Sequence, residues 1–565
     1  MRKILSIILS AIMLLSACVF AIPASAAEGT AINTADEFLN MAATGTYYLN
    51  SDITLSGTYA NAFNGTFDGN GHTVTVSAPM FADFSGTVKN LTIKGAINFS
   101  DANAAAFAVL SSNGIHAENV VNKANVTVIG AGQYAAGFVC IDNAKQTNKE
   151  NADSTFVNCV NDGEIYIEST VAKNPTAAGF AAVIDSVSFT GCTNNAKVTS
   201  KGNLAIAAGL AANVIPVAGD NNCYAYNCVN NGDITSVEAY ADSTGAASTG
   251  ASETAGLFAN IGVKKNVGIY IVYGCVNNGN ITGTYRTSGF VGYCYGSGTS
   301  QFLDLQFCIN TGNLTYGRTA STDENVYDWC GPFVGYTNTQ DTVIKYNIDL
   351  GSYTKDPASI NKNPGLCFFG CSSADVMICD IQHNYLINKE SFPYYTYASK
   401  DENAAQRHVI DECDGILPVT LEDLKSGKIA YIINEAAKAD IYGYAEGYAF
   451  YQTIGTDELP TVDSTHGWVV LNGTTYTNGN SNATEPETTE APKVDETTAA
   501  PDVDETTAAD EQTDAIEGTN APAPEQTEAT PGETEPAKGG CGGMVAGGIA
   551  LVAILGTAII IKKKD

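Results

Sequence analysis

CVNDGEI (159–165) is followed by four near copies of itself, CTNNAKV (192–198), CVNNGDI (228–234), CVNNGNI (275–281) and CINTGNL (308–314). The copies start 33, 36, 47 and 33 residues apart, so one unit recurs while the insertion between units varies. Such a period marks a supersecondary unit stacked along an axis. Each unit also carries a small-Gly-apolar run: AAGF ending at Phe138, AAGF at Phe180, AAGL at Leu210, TAGL at Leu257, TSGF at Phe290 and CGPF at Phe333.

Both elements are short, alternate apolar with polar residues and close on Asn, Asp or Gly, which favours strands and tight turns. A helical repeat would need apolar residues three and four apart over ten or more positions, and a propeller would need four strands per blade. The expectation is an all-β solenoid, a right-handed parallel β-helix of roughly ten coils between about Phe63 and Tyr385. Weaker copies such as VVNKANV from Val120 extend the unit N-terminally.

In that architecture equivalent side chains stack about 4.8 Å apart. Cys159, Cys192, Cys228, Cys275 and Cys308 are expected to form an inward ladder. Asn161, Asn194, Asn230, Asn277 and Asn310 are expected to form a second ladder, at a corner, because Asn tolerates left-handed backbone and can hydrogen-bond its neighbours. Fifteen cysteines in a secreted chain usually signal disulfides. Here five hold one repeat position, where a small apolar side chain is sufficient reason for Cys, although direct neighbours lie within disulfide reach. Cys367, Cys371 and Cys379 match no common zinc spacing.

FNGTFDGNGHTVTV from Phe63, followed by the AGF and CVNNGNI units, resembles the GLUG-motif β-helix proteins of Gram-positive anaerobic bacteria. The resemblance covers about 350 of the 565 residues. It implies a cell-surface, adhesin-like protein and carries over no active-site residue.

The ends of the chain give the expected organisation. Residues 1–26 read as a signal peptide, with Arg2 and Lys3 ahead of an apolar run and an Ala24-Ser25-Ala26 cleavage pattern. Leu15-Ser16-Ala17-Cys18 also matches the box before a lipidated cysteine, but the apolar Val19 to Ile22 argue against lipidation of Cys18. An N-terminal cap over 27–62 contains the capping box Thr34-Ala-Asp-Glu37. The β-helix takes 63–400. A C-terminal capping module over 401–480 includes a helical stretch from Thr420 to about Ala439.

Residues 481–540, rich in Pro, Thr, Glu and Ala, form an acidic disordered stalk. Residues 541–565 hold an 18-residue apolar run, Met544–Ile561, and then three lysines, a single-pass transmembrane helix with a cytoplasmic C-terminus and an extracellular ectodomain.

The net charge of −32, with four Arg in the whole chain, excludes nucleic acid as a partner. Partners are expected among extracellular polysaccharides, mucins or matrix proteins, besides the protein's own membrane. No HExxH, GxSxG, P-loop or dinucleotide fingerprint occurs, and His72, His116, His383, His408 and His466 are isolated in sequence.

No catalytic residue is assigned and no cofactor is required. Calcium enters only through Asp68 and Asn70 in a Gly-rich turn. The competing reading is a polysaccharide lyase or glycoside hydrolase, with stacking bringing together acids such as Asp162, Glu164, Asp233, Asp304 and Asp328, or using Arg286 or Arg318 as base. A third reading is a passive structural component. Tyr-rich sequence from Tyr270 to Tyr353 favours binding, because Tyr and Trp offer a flat apolar face with a polar tip. Tyr285, Tyr316, Tyr327 and Trp329, which fall in insertions, are the expected binding residues.

Overall fold

A computed structural model describes residues 28–142, 154–215, 221–238, 252–262, 268–295, 301–317, 328–339, 341–359, 366–371, 378–398, 407–440 and 445–479. The segments expected as signal peptide, stalk and membrane helix, together with Arg318 and Tyr327, lie outside the described residues. Among the described residues no helix is long and apolar enough to cross a membrane.

The chain coils into a parallel β-solenoid with three sheets, here called wide, back and corner. Eleven parallel pairings carry the first edge of the wide sheet from Thr30–Ile32 to Ile378–Gln382, which makes twelve rungs, about 53 Å at one strand spacing each. Ten of these rungs fall from Thr66 onward. Two more precede them, so residues 27–62 are not only a cap. Their helix α1 (Ala35–Leu39) has the expected box, Thr34 accepting from the Glu37 amide. It drives Phe38 into the interior, with ring centroids 5.2 Å from Phe81 and 5.5 Å from Phe67.

Inside the rungs, aromatic residues stack on their equivalents, Phe138 on Phe180 at 4.6 Å and Phe156 on Phe189 at 5.0 Å. The five ladder cysteines are wholly buried among them. Their thiols are free, as are those of the other cysteines resolved with their side chains, Cys367 and Cys379 included. Each ladder Sγ lies against a backbone carbonyl two residues back, for example Cys228 to Tyr226 O at 3.4 Å. Burial pushes the Cys192 and Cys275 thiols well above their ordinary range.

The asparagines form the expected second ladder. Asn161, Asn194, Asn230, Asn277 and Asn310 are fully inside, however, and none has the left-handed backbone expected of it. Each Nδ2 donates to Oδ1 of its equivalent one rung on, at 2.8 Å, in an unbroken series that starts at Asn122 and ends on the carboxylate of Asp349. The second N–H of each amide returns to a carbonyl two residues ahead, as from Asn230 to Gly232 O at 2.9 Å. The reason is local space. A Cβ placed on Gly179 or Gly209, in the AAGF and AAGL runs, would meet Asn194 or Asn230 Oδ1 at 2.7 Å. The two sequence elements of the repeat are therefore packing partners.

Left-handed backbone sits instead one residue before the Cys: Asn90, Asn119, Asn158, Gly191, Asn227 and Gly274, then Phe307, Tyr346 and His383, with φ between 50° and 63°. Asn and Gly suit this conformation, whereas bulky residues rarely adopt it. The bulky ones occur where the C-terminal module packs.

That module contains α2 (Leu421–Lys425) and α3 (Lys428–Ala439), separated at Gly427, whose φ of 81° ends the first helix. Ile429, Ala430, Ile433 and Ala437 form its buried face, clustered with Phe307, Ile309, Tyr346, Ile348 and Tyr385. These are outward residues of successive rungs, so the module covers the flank of the solenoid rather than its open end. The back sheet is closed instead by Arg407–Val409, antiparallel to Tyr394–Ala398.

Candidate binding surface

The position of the inward Cys sets the phase of the strand before it. Cys223 and Ala225, Tyr270 and Val272, and Leu303 and Leu305 point inward. Their alternates Tyr224 and Tyr226, Ile269, Ile271 and Tyr273, Phe302, and Val343 on the following rung lie on the outer face and retain solvent contact, Ile269 at 40%. Parallel register places Tyr224 beside Ile271 and Ile269 beside Phe302. The Tyr224 and Tyr226 rings lie 6.1 Å apart and 17° from coplanar. Three neighbouring rungs thus present one apolar, aromatic face, and Asp304 separates Ile271 from Val343 on the fourth.

Its border is polar and half closed by the module. Tyr273 packs edge-on against Tyr448 at 5.5 Å. Asp304 accepts from the Tyr273 hydroxyl and from Gln306 Nε2, while Gln306 Oε1 accepts the Ala445 amide at 3.0 Å. Burial pushes the Asp304 carboxyl up to about 6, against the pull of those two hydrogen bonds. On the next rung Lys345 Nζ bridges Asp380 at 2.5 Å and Asp440 of the module at 2.9 Å. Burial disfavours the ammonium, but the two carboxylates outweigh it and hold it above its ordinary value.

Two of the residues expected to bind, Tyr285 and Trp329, do come together. They flank Arg286 where the outer faces of the corner and back sheets close on one another. Arg286 donates to Glu253 Oε1 at 2.7 Å, and its guanidinium lies 3.6 Å from the Tyr293 ring, 4.7 Å from Tyr285 and 4.9 Å from Tyr336. Trp329 packs on Tyr336 at 5.1 Å and is 1% exposed. A side chain so buried cannot stack on a sugar, and Tyr316, at 5%, belongs to the main core. This cluster fills a crease that alanines such as Ala178, Ala208 and Ala212 fill in earlier rungs.

Arg286 is accordingly a packed, paired side chain and not a poised base. Asp162 and Asp233 accept from Asn195 and Asn280 of neighbouring turns, as solvated turn carboxylates do. Asp68 Oδ1 accepts from the Asn70 amide at 2.8 Å and from Asn90 Nδ2 at 3.1 Å, with Lys89 at 3.5 Å from Oδ2. Both oxygens are thus engaged by protein donors, one of them the Lys89 ammonium. Among the described residues no three His, Cys, Asp or Glu side chains are grouped to hold a metal.

The aromatic residues of the outer face lie in the regular strands and not in the insertions. The signal was present: residues two, four and six before Cys228, Cys275 and Cys308 share the outer face. No family model, no curated protein and no solved structure matches the chain.

Proposed function

We propose that this protein is a cell-surface binding module of the adhesin-like, GLUG-resembling kind, taking an extracellular glycan or protein without transforming it. In this reading the solenoid is right-handed, as parallel crossovers are, and the signal peptide, stalk and apolar tail carry it outside the cell on a single-pass anchor. The supporting observation is the outward face of Tyr224, Tyr226, Ile269, Ile271 and Phe302. Contiguous exposed apolar surface on a folded ectodomain marks an interaction site.

Residues 28–479, which hold all the described structure, would be titrated against plant polysaccharides, mucins and matrix proteins, with sugar release recorded in the same wells. Saturable binding that falls about tenfold or more in Tyr224→Ala/Phe302→Ser, with unchanged circular dichroism, is the expected result. Equal binding by wild type and variant would refute the site.

One observation favours the hydrolase reading. Asp304 is a buried carboxyl raised toward 6, the environment that suits a general acid. Sugar release abolished by Asp304→Asn would replace the binding reading with that one. Silence across the panel would favour a structural role.

A further inference from the structure

A second surface carries different chemistry. Across the left-handed ridge, the third segment of each coil places Thr199, Thr235, Thr282, Thr315 and Thr354 in direct register on five consecutive rungs. Their chain neighbours Val198, Ile234, Ile281 and Leu314 are wholly buried, so the threonines face outward. The hydroxyl column spans about 19 Å at four strand spacings.

Beside it run two outer amide columns. In one, Asn195 donates to Asp162, Asn231 to Asn195 and Asn278 to Asn231, each at 2.8 Å, and Thr311 donates to Asn278 at 2.7 Å. In the other, Asn280 donates to Asp233 and Asn313 to Asn280, both at 3.0 Å, and the Ser352 hydroxyl donates to Asn313 at 2.6 Å.

These columns differ from the buried one in what they leave over. A primary amide has two N–H donors and two acceptor lone pairs. Inside the solenoid, the second N–H of each amide is used by a backbone carbonyl. Outside, the first column takes one N–H and one lone pair of each of Asn195, Asn231 and Asn278 and leaves a donor and an acceptor on each. In the second, the Oδ1 of Asn280 and of Asn313 each accepts two bonds from the next rung, so these amides leave over a donor alone. From Asn231 and Thr235 to Ser352 and Thr354 the strip carries one formal charge, Asp233, on a chain of net charge −32. Anionic polymers are repelled by that field, whereas a neutral polymer is not.

We infer that this strip binds a neutral, extended polysaccharide lying parallel to the solenoid axis, its successive hydroxyls meeting successive threonines and amides. A repeating ligand is required because the donors and acceptors repeat along the axis and not across it. The inference rests on the proposed binding function but uses a different face from the aromatic one.

The test uses residues 28–479 and cello-, manno- and xylo-oligosaccharides of increasing length by calorimetry, with polygalacturonate as the anionic control. Affinity is expected to rise with chain length and then level off, with no binding of polygalacturonate. Thr235→Val/Thr282→Val/Thr315→Val keeps the β-branched shape and removes three hydroxyls, and should weaken binding about tenfold or more.

Undiminished binding by the valine variant would overturn the inference. So would loss confined to the aromatic-face variant Tyr224→Ala/Phe302→Ser, which leaves the proposed function standing. Binding of mucins or matrix proteins alone also overturns it, as does concentration-dependent dimerisation abolished by the valines, which would make the occupant a second copy.

Discussion

Replacing Asn230 by Ala tests the buried amide series at its middle. Asn230 accepts from Asn194 Nδ2 at 2.8 Å and donates to Asn277 Oδ1 at 2.8 Å and to Gly232 O at 2.9 Å, with no exposed surface. Removing the side chain orphans one N–H of Asn194, strips an acceptor contact from Asn277 and leaves the Gly232 carbonyl without its side-chain donor. An unsatisfied buried polar group costs about 1–3 kcal/mol, and some of the three are partly compensated by other bonds, so the expected loss is about 3–5 kcal/mol.

Asn231, the next residue, provides the control. It makes two side-chain hydrogen bonds of the same kind and length, at 2.8 Å, but in contact with water. Its replacement by Ala should cost below about 1 kcal/mol, since solvent takes up the freed groups. Urea unfolding followed by circular dichroism measures both variants. Native-state hydrogen exchange around Cys228 and Cys275 reports the local opening that a stacked array allows. Equal losses at Asn230 and Asn231, or a loss under about 1 kcal/mol at Asn230, would refute the claim that burial of the series is what matters.

Other consequences are as direct. Burial raises the Asp349 carboxyl to about 6, although Asn310, Tyr353 and the Gly351 amide hydrogen-bond to it. Between about pH 4 and 6 the folded state therefore holds a proton that the unfolded chain has lost, and this group's contribution to stability falls as pH rises through that window. Asp349→Asn should accordingly be more stable than wild type by about 1–3 kcal/mol at pH 7.5 and no more stable at pH 4 in paired urea titrations.

The ladder thiols, free and buried, should react with a disulfide reagent only at the rate of unfolding; modification of Cys228 or Cys275 within minutes in native buffer would contradict the packing. Lys345→Met leaves Asp380 and Asp440 unneutralised and should weaken docking of the module by about 2–3 kcal/mol, less than for a wholly buried pair because Asp380 is a third exposed. Faster amide exchange over Ile429–Ala437, with the rungs unchanged, would show it.

The repeat was legible because its strongest signal, an apolar residue alternating with polar ones at a recurring spacing, is also what decides which side chains enter a narrow interior. Cys159 to Cys308 were placed correctly for that reason. The ladder of Asn161 to Asn310 was legible too, but not its interior place, because a turn Asn and an interior Asn look alike within seven residues. The bonds that distinguish them join residues 33 to 47 apart. The evidence was in the second motif, whose Gly leaves the volume that the amide fills. The binding aromatics were misjudged by a similar step: Trp329 and Tyr316 sit in variable sequence, yet register puts one in the crease and the other in the core.

The docking of the module on the flank was the least legible feature, and its cause is visible at three positions. Up to Gly274, which lies directly against Tyr448 of the module, the left-handed residue is Asn or Gly; on the three rungs that follow it is Phe307, Tyr346 and His383. For a bulky residue this conformation costs about 1–2 kcal/mol, so local preference argues against it. The cost is offset by contact. Phe307 packs on Phe450 at 5.5 Å, Tyr346 stacks within 30° of Phe307 and donates to Asp440 at 2.8 Å, and His383 stacks on Tyr346 at 5.9 Å.

At the last two of these rungs the inward Cys position becomes Asn347 and Asn384, with Asn347 Oδ1 accepting the Cys308 amide at 2.8 Å and its Nδ2 donating to Asn384 at 2.9 Å. Interior and exterior thus change together over two rungs. A module that merely closed the open end would need no such change in the rungs before it, whereas one that clamps the flank must be met there by residues that a free-standing rung would reject.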